Sequence, residues 1–207
     1  MDDLDVMSFR SRFNEARDAV RLLTIFSPTC LLCQYGQGLI SELFEQVPES
    51  SLHGFSIWLP IMDADDAEIA EVEAARLPAD RIEHVWDPER TLGELFAKTL
   101  GLKGVAWDVY MLYAPQVTWE QENPPPPTFW MHQLPPKLGA DPRFLLAPGP
   151  LLFELMTLLG KTDTYTARDF AFTLHAKALG AVKKKRPQSS LEETLAAVDP
   201  ETAGSGD

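Results

Sequence analysis

Cys30 and Cys33 are the only two cysteines in a chain of 207 residues. Their spacing allows the two thiols to close into one disulfide, or to serve as half of a metal site. They follow the hydrophobic run Val20-Arg21-Leu22-Leu23-Thr24-Ile25-Phe26, which is stopped by Ser27-Pro28-Thr29, and they precede the segment from Leu31 to Val47. The run is short and contains β-branched and aromatic residues, so it reads as a buried strand, while the later segment reads as a helix. Free backbone N–H groups at the start of that helix would stabilise a thiolate. By position, Cys30 at the helix entrance is expected to be the more exposed and more acidic thiol. Cys33 lies one turn inward and is expected to be the more buried.

The competing chemistry is metal binding. A closed zinc site needs four ligands, yet the chain has no second CxxC, and His53, His84, His132 and His175 are scattered singly. Two thiolates with His132 would suit a soft metal. A lone histidine in an aromatic segment such as Trp130-Met131-His132-Gln133 is more often a hydrogen-bonded structural residue. The expectation is therefore no metal and no organic cofactor.

Further elements must position the dithiol. Ser8 to Arg17 has apolar residues at helical spacing, and Phe55 to Met62 reads as a second buried strand. Ala67 to Leu77 is a helix of good formers closed by Pro78, and Arg81 to Trp86 a modest strand. Thr91 to Leu100 reads as a helix with Thr91 as N-cap and Glu94 completing a capping box, ended by Gly101. Val105 to Tyr113 and Thr128 to Leu134 are late strands, separated by a segment ending in the prolines Pro124 to Pro127. Beyond Asp141 the pattern is helical over Leu151–Leu159, Ala167–Ala181 and Leu191–Val198. Pro148-Gly149-Pro150 is read as a loop ahead of the first of these.

Strands alternating with helices imply a largely parallel sheet, in which sites gather at the carboxyl ends of strands. Cys30 follows such an end. The net charge of −13 argues against nucleic acid and anionic membrane surfaces, which reward a basic face. The cluster Lys183-Lys184-Lys185-Arg186 falls where basic residues complement a helix C-terminus. No apolar stretch reaches the length of a membrane span. The acidic start Met1-Asp2-Asp3-Leu4-Asp5 lacks the basic n-region of an export signal, so a cytoplasmic setting is expected, with a periplasmic protein trimmed of its signal as the alternative.

The stretch Phe26-Ser27-Pro28-Thr29-Cys30-Leu31-Leu32-Cys33, taken with the element order, resembles the thioredoxin-like superfamily, in particular its variants with an extra βα unit before the final strands. The resemblance covers roughly Val20 to Leu134. It implies an α/β fold with a mixed sheet flanked by helices over residues 1–140. Residues 141–198 form a helical C-terminal extension, and 199–207 have the composition of a disordered tail. It further implies a thiol–disulfide oxidoreductase in which Cys30 attacks a disulfide of a protein or small-molecule partner and Cys33 resolves the intermediate. The alternative is a binding module or soft-metal-handling protein on the same fold.

Two departures from the family pattern stand out. Thr29 occupies the place before the first cysteine where the family often has Trp. The strand behind the cysteines carries only Arg21 as a charge, so the acidic proton acceptor of many members is vacant or supplied from elsewhere. The family's cis-proline landmark facing the dithiol has two placements. One is Pro127 followed by Thr128, which with Thr29 would contact substrate. In the other the proline is replaced, with Val105-Ala106 in its position.

Overall fold

The computed structural model describes residues 2–47 and 51–161 of the chain. The expected helices over Ala167–Ala181 and Leu191–Val198, the basic cluster and the tail lie outside the described residues. Strands β1 (Asp2–Asp3), β2 (Val20–Phe26), β3 (Leu52–Trp58), β4 (Ile82–Trp86), β5 (Val109–Tyr113) and β6 (Phe129–His132) form one six-stranded sheet in the order β1-β4-β3-β2-β5-β6. The first four are parallel to one another along that order, whereas β5 runs antiparallel to β2 and β6 antiparallel to β5. The helices are α1 (Val6–Glu15), α2 (Leu31–Gln46), α3 (Ala67–Ala74), α4 (Thr91–Leu100) and α5 (Pro148–Leu158).

The buried strand β2 sends alternate side chains to opposite faces. Val20, Leu22 and Phe26 pack with Ile40, Leu43 and Phe44 of α2, Ala70 and Ala74 of α3, and Leu151 and Leu155 of α5. Leu23 and Ile25 pack instead with Phe9 and Phe13 of α1 and Leu92 and Phe96 of α4. The result is three layers, with the sheet between two helical faces. Both Cys30 and Cys33 belong to the α2 side.

Several local boundaries differ from expectation for identifiable reasons. Helix α1 begins at Val6 because the Asp5 carboxylate accepts from the amides of Met7 and Ser8 at 3.2 Å. Thr91 is the first helical residue of α4 and makes no side-chain cap; no capping box forms. Asp87 takes that role, accepting from the amides of Thr91, Leu92 and Gly93 at 2.9, 2.8 and 3.4 Å. Gly101 ends the helix in a left-handed conformation (φ 68°) as expected. Pro148-Gly149-Pro150 is the first turn of α5, not a loop, since prolines are tolerated where helix amides have no internal partner. Strand β5 starts at Val109, four residues later than the hydrophobic run, because Gly104 and Asp108 both take positive φ and turn the chain. No described helix is long and apolar enough to cross a membrane.

The charge on β2 is structural. Arg21 is fully buried at the amino end of the strand and donates to the carbonyls of Phe13, Ala114 and Val117 at 3.2, 2.7 and 2.8 Å. Its guanidinium lies over the Phe13 ring at 4.5 Å.

Candidate active site

Strand β2 delivers the chain to Ser27, and the dithiol follows where the strand passes into α2. Cys30 occupies the N-cap position in extended backbone conformation (φ −72°, ψ 123°), its side chain making no capping bond. Its carbonyl accepts the Gln34 amide at 3.0 Å, and its own amide donates to Ser27 O at 3.2 Å. Cys33, one turn into the helix, receives the Ser27 amide on Sγ at 3.5 Å. Both thiols are free. Cys30 retains 7% exposure and Cys33 none.

The loop ahead of the cysteines is anchored by Asp65. Its carboxylate accepts from the hydroxyls of Ser27 (2.6 Å) and Thr29 (2.7 Å) and from the Thr29 amide (2.9 Å). It also accepts from the amides of Ile61 (2.9 Å) and Met62 (2.8 Å), beyond β3. Burial works against its charge, but these hydroxyl and amide donors outweigh it and hold the carboxyl below its usual range. Thr29 therefore stands beside the dithiol with its hydroxyl and amide engaged in holding the loop.

Facing the sulfurs from the start of β5 is Asp108. Its amide donates to Ile25 O at 2.7 Å and its carbonyl accepts the Gln133 amide at 3.0 Å, which fixes it at the carboxyl end of β2. Its left-handed backbone (φ 52°) is tolerated best by Asp, Asn and Gly. A carboxylate oxygen of Asp108 and the sulfurs of Cys30 and Cys33 all lie within 4.8 Å of one another. Oδ1 accepts from the Tyr110 hydroxyl at 2.7 Å and from Gln133 Nε2 at 2.9 Å. Gln133 Nε2 also reaches Leu32 O at 2.8 Å and the Tyr110 hydroxyl at 3.0 Å, tying β6 to the dithiol loop. Oδ2 is buried and makes no hydrogen bond of ordinary geometry. Tyr110 reaches Asp108 past α2 only because position 36 is glycine: a Cβ there would lie 1.6 Å from the hydroxyl.

This geometry separates the two thiols electrostatically. Donation from the Cys33 thiol, aided by the amides of Cys33 and Leu32, lowers the Cys30 pKa against the opposing effects of burial and Asp108. Burial, followed by that same hydrogen bond and the Asp108 charge, pushes Cys33 well above the usual thiol value. Burial likewise raises Asp108 to about 6, despite donation from Tyr110 and Gln133 that favours its carboxylate.

The structure brings Thr29, Cys30 and Cys33 together but not the other two expected residues. Pro127 and Thr128 precede β6 at the far end of its ladder, where the Thr128 amide donates to Leu112 O and its hydroxyl accepts the Ala114 amide. Val109 at the near end of β5 pairs with Ile25, whereas Tyr113 at the far end pairs with Arg21. Of the two placements, Pro127 thus lies away from the dithiol, whereas Asp108, two residues after Val105-Ala106, lies beside it, and none of the described peptide bonds is cis. His132 sits at the near end, but its ring nitrogens are occupied by Asp141 O (2.9 Å) and the Leu134 amide (3.1 Å). Asp108, Tyr110, Gln133, Gly36 and Asp65 carry the site without having been singled out in the sequence. Asp108 had a visible signal, being the one charged residue in the run Val105 to Tyr113, where burial of a charge needs a reason.

No protein-family profile matches the chain, and no curated protein matches it in sequence. Among solved structures, a candidate thiol:disulfide interchange protein DsbE from Chlorobium tepidum aligns at 18% identity and TM-score 0.38, covering 49% of this chain and 64% of that one. A candidate thioredoxin from Neisseria meningitidis aligns at 14% identity and TM-score 0.47, covering 72% and 80%. A secreted Mycobacterium tuberculosis disulfide oxidoreductase homologous to E. coli DsbE aligns at 12% identity and TM-score 0.35, covering 52% and 78%. This chain thus spans less than two thirds of the first of these. The likeness in fold rests on the chain's own topology: a dithiol at the carboxyl end of a central parallel strand, a further βα unit, and an antiparallel pair completing the sheet. By those features the chain has a thioredoxin-like α/β fold, with Cys30 and Cys33 in a CxxC arrangement.

Proposed function

We propose that the chain exchanges its Cys30/Cys33 dithiol with a disulfide of a protein or small-molecule partner. The observation that carries this is the asymmetry of two free thiols: Cys30 largely buried but still 7% exposed, with its pKa lowered, and Cys33 fully buried with its pKa raised. The Cys30 thiolate attacks one sulfur of the partner disulfide, forming a mixed disulfide and releasing the other sulfur as a thiolate. Cys33 then loses its proton and attacks Cys30 Sγ, closing the intramolecular disulfide and releasing the second partner thiolate. Two electrons pass from the dithiol to the partner. Asp108 ionises before Cys33 and stands beside it, which suits it to accept that proton. Leu32 and Met62 are partly exposed near the dithiol, giving a partner an apolar surface to rest on.

The test is reduction of insulin and of a small aromatic disulfide by the reduced protein in the presence of a chelator. Wild type should react, Cys30→Ser should lose the activity, and Cys33→Ser should accumulate the mixed disulfide. A wild type no faster than Cys30→Ser rules the proposal out.

A further inference from the structure

We propose that the reduced dithiol and Asp108 form a three-ligand site for a borderline-soft divalent ion of the zinc class. The donors converge already: the sulfurs of Cys30 and Cys33 and a carboxylate oxygen of Asp108 lie within 4.8 Å of one another, and all three residues are buried. In a tetrahedral site with metal–sulfur bonds of about 2.3 Å and metal–oxygen bonds of about 2.1 Å, neighbouring donors are roughly 3.5–3.8 Å apart. Closing the cluster around an ion therefore takes movements of about an ångström or less.

The independent pointer is the Asp108 carboxylate. Oδ1 is held by the Tyr110 hydroxyl and Gln133 Nε2, whereas Oδ2 is buried without a hydrogen-bond partner. Donors on one oxygen that leave the other free are the outer-shell arrangement that orients a ligating carboxylate. Leaving a buried carboxylate oxygen unmatched is costly, and a cation beside it removes that cost. Gly36 and the left-handed backbone at Asp108 both serve this orientation, the first by admitting Tyr110 and the second by fixing the direction of the side chain.

The mixed donor set selects the ion class. Two thiolates are too soft for magnesium or calcium, and the carboxylate is too hard a third ligand for cuprous copper, which leaves zinc and its analogue cadmium. His132 is not a competing ligand, since both ring nitrogens are engaged. Three protein donors leave a tetrahedral ion a fourth position for water or substrate.

Binding converts two thiols and an aquo ion into a metal dithiolate and releases two protons. A consequence, resting on the exchange activity proposed above, is that metal and disulfide exclude each other. When a partner disulfide oxidises the loaded site, the Cys30–Cys33 bond forms and the partner S–S bond breaks. Two electrons move to the partner sulfurs, which take up two protons, and the ion leaves.

The experiment titrates the reduced, metal-free full chain with zinc and with cadmium. It follows stoichiometry by native mass spectrometry and affinity by competition with a chromophoric chelator. One ion per chain is expected, with binding lost in Cys30→Ser and Cys33→Ser and weakened about tenfold or more in Asp108→Asn, whose side chain retains an oxygen for Tyr110 and Gln133. X-ray absorption of the zinc-loaded wild type supplies a reading independent of variant folding, with two sulfurs and light oxygen ligands expected. Absence of one-to-one binding, undiminished affinity in Asp108→Asn, an imidazole in the shell, or four sulfurs from two chains would each overturn the site. Disulfide reduction measured with chelator present is unaffected by that result, so failure of the metal site and failure of the exchange activity are separable.

Discussion

At the scale of single residues, the dithiol is legible from spacing alone, but the group facing it is not. A carboxylate opposite the sulfurs need not come from the strand behind them. It needs only to be delivered to the same end of the sheet, and antiparallel pairing of Val109 with Ile25 delivers Asp108 there. Gly36 escapes sequence reading for a related reason, because its value depends on Tyr110, 74 positions away. Glycine inside a helix normally weakens it, so Gly→Ala there would ordinarily stabilise by about 0.5–1 kcal/mol. Here the sign should reverse: a Cβ at position 36 would meet the Tyr110 hydroxyl at 1.6 Å and its ring carbons at 2.5 and 2.8 Å. Gly36→Ala should lose about 1–3 kcal/mol, the range of overpacking in a filled interior. Denaturant melts of the reduced protein check this, and a variant as stable as wild type or more so would contradict the close approach.

At the scale of elements, pattern identifies the type of each segment better than its ends. The bounds of β2 follow from an uninterrupted hydrophobic run with a Ser-Pro stop, both local signals. The start of β5 does not, because Val105, Ala106 and Trp107 continue the apolar pattern while the backbone turns at Gly104 and Asp108. The N-terminus of α4 shows the same limit. Thr91 with Glu94 has the form of a capping box, yet Asp87 reaches across Pro88, Glu89 and Arg90 to cover the first amides. Arg90, with its own backbone left-handed (φ 59°), makes that reach possible. Asp87 is buried, so removing it uncaps the helix and leaves buried amides without acceptors. Asp87→Ala should cost about 1–3 kcal/mol, with Asp87→Asn retaining part of the loss as one acceptor survives. Thr91→Ala, which removes no cap, should stay within about 0.5 kcal/mol of wild type. Equal losses in the Asp87 and Thr91 variants would return the capping role to Thr91.

At the scale of the whole molecule, the sequence indicates which layers exist but not how the last helix joins them. The leucines of Leu151–Leu159 announce an apolar stripe that must be covered, and either the main domain or a second chain could cover it. In the structure it turns inward. Leu151 and Leu155 share a cluster with Cys30, Cys33 and Ile40, while Leu152 packs with Leu39 of α2. The connection is fixed ahead of the helix, where the Leu146 amide donates to His132 O at 2.8 Å and the His132 ring meets Asp141 O. So the described part of the C-terminal extension is continuous with the core that carries the dithiol, and its packing bears on the site's stability. Leu155 has no exposed surface, and Leu155→Ala should cost about 2–5 kcal/mol through lost burial and a residual cavity. Phe153, on the same helix but 45% exposed, gives the internal control: Phe153→Ala should change stability by about 0.5 kcal/mol or less. Thermal melts of the two variants beside wild type decide the matter. If Leu155→Ala melts with wild type, α5 is not part of the core beneath the cysteines.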